Sequence, residues 1–187
     1  MNVATASHSR LEGLLVAGDP IAAARAAGVR VGATIRLARA ADRTGWLVDG
    51  DAEGPLDAHR AAHAEGRPSE AAVAYGAGRD PDAVAARIDG LARLARETGM
   101  LRAVAPVPGE GGAGRPGSWG VEDLTVIAVC RLAMPEGVAI RPHWRRLGPA
   151  ACQVAVAFGA SEWLVPEDDR TDAAALAAAV GASLETA

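Results

Sequence analysis

Residues 123–166, DLTVIAVCRLAMPEGVAIRPHWRRLGPAACQVAVAFGASEWLVP, decide the fold class. The apolar run 124–130 reads as a buried helix that ends in Arg131. Val138 to Arg141 is a short β-type run, and the pattern from Trp144 through Leu147, Ala151 and Val154 to Phe158 suits an amphipathic helix stopped by Gly159. Trp163 to Val165 is a second β-type run. Strands buried on both faces read as continuous apolar runs, and parallel neighbours need a helical crossover, so this alternation predicts parallel β/α units.

The same alternation extends upstream. A helix is predicted over 56–65, a strand over 72–76, and a second helix opened by Asp80-Pro81 with Val84, Ile88, Leu91 and Ala95 on one face and Gly99 as its stop. Residues 101–107 read as the next strand. The glycine-rich run 108–117 lacks the Lys-Ser/Thr ending of a phosphate cradle and reads as a surface loop. Residues 9–45 are read as helical, restarted at Asp19-Pro20, with either Ile35, Ala38 and Ala41 or Leu37 and Ala40 as the apolar stripe of the last piece. Trp46-Leu47-Val48 is a short strand candidate. Pro166 and the acids at 167–169 are predicted to start a final helix, and the chain ends in an alanine-rich tail, 172–184. About four or five β/α units against eight in a closed barrel imply a half-barrel, with a helical lead-in at 1–50 and the partial barrel at 51–187.

The chain has 187 residues, half of them hydrophobic, enough for one core. All 19 basic residues are arginine, and the formal charge is -4, which gives no basic face for nucleic acid. No uncharged apolar run approaches the roughly 20 residues of a membrane helix, and the first residues lack a secretory pattern. A cytoplasmic protein is expected, with Cys130 and Cys152 as reduced, buried thiols.

Several linked motifs resemble one enzyme group. Cys130-Arg131-Leu132, His143-Trp144, Leu147-Gly148-Pro149 and Phe158-Gly159-Ala160 are similar to stretches of the radical S-adenosylmethionine enzymes that act in the futalosine route to menaquinone and in deazaflavin synthesis. Among these the chain is most similar to the aminodeoxyfutalosine synthases, over about residues 55–166, the C-terminal half of their barrel. The helix with His59 and His63 and the strand ending in Tyr75-Gly76 resemble a middle part of that barrel. Two departures stand out. The CxxxCxxC loop that holds the family's [4Fe-4S] cluster beside S-adenosylmethionine is not in this sequence, and Ala77 and Arg79 stand where the family has histidine and glutamate.

The ligand-binding candidates are Tyr75, Arg131, Arg141 and His143. Tyr75, Arg141 and His143 fall at C-terminal strand ends, where barrel sites are built. Arg131 ends an apolar helix, so it either pairs with Glu122, Asp123 or Glu162 or anchors an anion. His59 and His63 lie one helical turn apart, but no third metal ligand has matching spacing, so no metal site is assigned. No catalytic residue is assigned, and no cofactor is expected for this chain. The resemblance implies a non-catalytic accessory or ligand-binding protein of menaquinone synthesis. The alternative is an enzyme of different chemistry built on the residual face. Open strand edges and an inner face near Tyr75, Val104, Ile140 and Leu164 imply a homodimer or a complex with a full-length family enzyme.

Overall fold

A computed structural model describes residues 3–38, 54–109, 120–166 and 169–186. It is a mixed α/β structure in which every strand pairing is parallel. In chain order the elements are α1 (Val3–Leu15), α2 (Pro20–Ala26), β1 (Thr34–Leu37), α3 (Leu56–Ala64), β2 (Ser69–Tyr75), α4 (Pro81–Thr98) and β3 (Leu101–Pro108). There follow α5 (Gly120–Ala133), β4 (Ala139–Ile140), α6 (Trp144–Leu147), α7 (Pro149–Ala155), a 3-10 turn (Val156–Phe158), β5 (Glu162–Trp163), α8 (Arg170–Ala179) and β6 (Ser183–Thr186).

The strands form two three-stranded sheets, ordered β2-β3-β4 and β5-β1-β6. The sheets meet where Ser161 N–H donates to Ile140 O at 3.0 Å and Ile140 N–H donates to Ser161 Oγ at 3.1 Å. Period-two alternation then separates two faces of the first sheet. Ala71, Val73 and Tyr75 of β2, Leu101 and Val104 of β3 and Ile140 of β4 pack in the large core with α4 and α5, whereas Ala72, Ala105 and Val107 form a separate cluster. A one-residue bulge beside Ser69 and Glu70 drops the exposed Arg102 out of the register and shifts the alternation of β3 by one, so that Leu101 and Val104 share a face. Tyr75, Val104 and Ile140 therefore face the helices. The expectation that they line the inner face is corrected, because strand parity was assigned without a reference residue. Leu164 lies just beyond β5 and is half-buried.

Local signals account for the helices that the sequence marks. Asp80 caps α4 by accepting from Asp82 N–H at 3.0 Å, proline follows it, and Gly99 ends the helix at φ 64, a left-handed conformation that suits glycine. Ile88, Leu91, Ala92 and Leu94 of α4 are completely buried. Gly90 lets α3 come close, since a Cβ there would stand 2.6 Å from Leu56 Cδ1.

Two expectations are overturned. Residues 34–37 are a strand: Thr-Ile-Arg-Leu alternates in burial and pairs with β5 and β6, so the stretch read as a helical lead-in contributes to the sheet. The single helix expected over 144–158 is reset at Gly148, φ 82, and Pro149, which leaves Val154 exposed. The alanine-rich tail holds most of α8, which stops at Ala179, and leads into Ser183–Thr186, which pairs with β1. The strand expected at Trp46-Leu47-Val48 and most of the loop 108–117 lie outside the described residues. Among the described residues no helix is long and apolar enough to cross a membrane.

Candidate functional site

The sheet face turned away from α4 and α5 carries a buried ion cluster. Glu70 is the second residue of β2, Arg141 directly follows β4, and Glu162 opens β5; each is at least nine-tenths buried. Arg141 donates from Nη1 to Glu70 Oε2 at 2.8 Å and from Nη2 to Glu70 Oε1 at 2.9 Å, a bidentate fork. Its Nε donates to Glu162 Oε1 at 2.5 Å, and its Nη2 also contacts that oxygen. On the far side of Glu162, the exposed Arg36 of β1 places Nη1 3.7 Å from Oε2. Two guanidinium groups thus balance two carboxylates across four strands. Burial alone would lower the Arg141 pKa, but the hydrogen bonds and charges of Glu70 and Glu162 raise it. With its fork filled by Glu70, Arg141 offers no bidentate face to an outside anion.

The other candidates do not converge on this cluster. Tyr75 is fully buried in the helix-facing core, where its hydroxyl donates to Asp123 Oδ1 of α5 at 2.8 Å. Burial first, and the Asp123 carboxylate second, push its pKa well above the usual phenol value. Arg131 does not pair with a carboxylate as expected. Its guanidinium gathers the carbonyls of Val138 at 2.8 Å, Met134 at 3.1 Å and Pro135 at 2.6 Å, closing the exposed end of α5 onto the start of β4. Burial lowers its pKa, against the charges of Cys130 and Glu136. Gly159, φ 93, accepts the stem of Arg131 so closely that a Cβ there would lie 2.8 Å from Arg131 Cβ. Of the three acids proposed as partners for Arg131, Asp123 serves Tyr75 and Glu162 serves Arg141. His143 is half-buried at the N-cap position of α6, two residues beyond Arg141, and its ring does not cap that helix.

His59 and His63 meet at a serine that sequence reading passed over. His59 Nδ1 and His63 Nε2 each lie 2.8 Å from Ser69 Oγ, and His63 Nδ1 lies 2.8 Å from Thr98 Oγ1 at the end of α4. Burial, then the charges of Arg87 and His63, lower the His59 pKa from 6.5 to about 4; burial also lowers that of His63. Among the described residues no three His, Cys, Asp or Glu groups gather as metal donors.

Sequence reasoning missed Glu70, Ser69 and Thr98. Glu70 was detectable as a lone acid inside an apolar strand, a placement that demands a buried cation. Nothing local marked Ser69 or Thr98, which matter because of what they face.

No protein-family model matches the chain. Its sequence is 32% identical over 119 residues to the aminodeoxyfutalosine synthase of Thermus thermophilus. The match supports a distant relationship to that radical S-adenosylmethionine enzyme. It covers 59% of this chain and 32% of the relative, so the chain spans about a third of the synthase's length.

Proposed function

We propose that this chain is a partial β/α barrel of the aminodeoxyfutalosine synthase type that serves menaquinone synthesis as an accessory or ligand-binding protein and does not itself run radical chemistry. The placement of sulfur carries this reading. Three thiolates from one short loop hold the cluster in such enzymes, and these 187 residues contain Cys130 and Cys152 alone. Both are buried in helices, α5 and α7, and burial pushes both thiols up to about 12, which disfavours the thiolate that iron binds. The filled fork of Arg141 supports the same conclusion, because this cation, which directly follows β4, is committed to Glu70 and Glu162.

The barrel part of the proposal rests on strand order. Joined through Ser161 and Ile140, the sheets read β2-β3-β4-β5-β1-β6: β2 to β5 follow chain order, as consecutive strands of a parallel barrel do, while β1 is inserted between β5 and β6. The arc ends at β2 and β6, and a second copy of the chain or a full-length synthase is the partner we propose for these edges. Anaerobic reconstitution with iron and sulfide is the test. The expected result is no stoichiometric [4Fe-4S] cluster; a charge-transfer band that disappears in Cys130→Ala or Cys152→Ala would overturn the reading. Light scattering at micromolar concentration, with and without the synthase, tests the partner, and a clean monomer in both cases removes it.

A further inference from the structure

α3 has three buried residues, His59, Ala62 and His63, so two of its three buried side chains are imidazoles; the half-buried Leu56 adds an apolar contact. Both rings belong to a chain of hydrogen bonds whose direction is determined by its far end. Leu94 O accepts from Thr98 Oγ1 at 2.8 Å, so the threonine proton is spent there and Thr98 accepts from His63 Nδ1–H. His63 Nε2 is then bare and accepts the Ser69 hydroxyl proton, and Ser69 Oγ accepts from His59 Nδ1–H. In this arrangement both rings are neutral and each donor in the chain has its acceptor.

Protons added to the chain disrupt it. At His63 Nε2 a proton makes Ser69 Oγ accept from both rings and leaves the serine hydroxyl proton without the acceptor it had. A further proton on His59 sets two imidazolium rings with centroids 6.5 Å apart. The charged groups on the packed elements do not favour that state. Arg87 of α4 opposes charge on His59. Glu70 of β2 is turned to Arg141, while Glu97 of α4 and Glu65 beyond α3 are bound by Arg60 and Arg67 at the surface.

We propose that His59, Ser69, His63 and Thr98 form a pH-operated clasp that fastens α3 to β2 and α4 when neutral and releases α3 when both histidines are protonated. The rest of the core does not share this dependence. α4 is seated by Ile88, Leu91 and Leu94, and α5 by Ile127, Ala128 and Val129, all completely buried and apolar. Release of α3 therefore leaves β2, β3, α4 and α5 folded and bares the flank of β2, which forms one end of the sheet.

Hydrogen exchange of the full chain, corrected for the intrinsic effect of pH, tests this. Amides of residues 56–64 are expected to exchange at least about tenfold faster near pH 5 than near pH 7.5, while those of 120–133 keep their protection. A H59N/H63Q double variant retains neutral hydrogen-bonding groups and is expected to abolish the difference. Unchanged protection of α3, simultaneous loss in α3 and α5, or an undiminished response in the double variant would overturn the clasp. Nitrogen-15 spectra of the unaltered chain provide a check that does not depend on the variant folding. His63 is expected as the Nδ1–H tautomer, with neither ring titrating above about pH 5.5. A ring that titrates near 6.5 while α3 stays protected would also overturn the proposal.

Discussion

Ser69 and Glu70 are neighbours on one strand, and their side chains enter two buried polar clusters of opposite character. Ser69 faces the helices and joins two neutral histidines and a threonine; Glu70 faces the other side and joins a cation and a second carboxylate. In each, hydrogen bonds pair donors with acceptors and so offset part of the cost of burying polar atoms. They differ in what disturbs them. The histidine chain is charged only if protons are added, so acidity weakens it, whereas the ion cluster already holds its charges and is weakened by removing one partner. Burial by itself therefore does not tell how a polar cluster fails; the charge state of its members does.

The largest effect should come from breaking the ion cluster. Arg141→Met strands the Glu70 and Glu162 carboxylates and is expected to cost about 3–5 kcal/mol in urea melts. Adding Glu70→Gln and Glu162→Gln to that variant should recover part of the loss, since no buried charge then lacks its partner. If the single variant melts like the parent, the cluster is solvated and the contrast with the histidines fails.

Acid should act on the other side of the strand. The His59 pKa falls from 6.5 to about 4 on folding, so between these values the unfolded chain binds a proton that the folded chain refuses. Stability is then full above 6.5 and declines as pH falls toward 4, by about 3 kcal/mol for a shift of this size. Melts across this window should show the decline in the parent chain and a smaller one in His59→Asn. An equal decline in both would assign the acid sensitivity elsewhere.

Arg131 sharpens the comparison because it is a partly buried cation whose partners are carbonyls. Arg131→Met leaves no stranded charge, only three carbonyls short of a donor, and is expected to cost about 2 kcal/mol, less than Arg141→Met. The reverse ranking in the same melts would mean that the carbonyl clamp matters more than the ion cluster. Smallest should be Tyr75→Phe. It removes a hydroxyl that donates to the buried Asp123 and is expected to cost about 1–2 kcal/mol; a neutral result would mean that water replaces the hydroxyl there.

Much of the architecture was legible in the chain. α4, β3 and the run of α5 into β4 follow from apolar spacing, a capping aspartate, proline at a helix start and glycine at its stop, all of which act within a few residues. The elements that were misread or passed over depend on distant partners. Thr34–Leu37 has too few residues to declare its period and becomes a strand because β5 and β6 lie on either side of it, and Ser183–Thr186 is a strand for the same reason.

For the candidate site, the sequence by itself marked Arg131 as a charge that a buried position must satisfy, placed Tyr75 and Arg141 at strand ends as ligand-binding candidates, and ruled out a cysteine triplet within these residues. Only the tertiary structure decided which partner each received. Arg141 and Glu70 are 71 positions apart, and Tyr75 and Asp123 are 48 apart. Such pairs are chosen by strand order and by the side of the sheet each residue faces. Alternation along a strand shows that two faces exist, but a packed helix is needed to say which of them is inside.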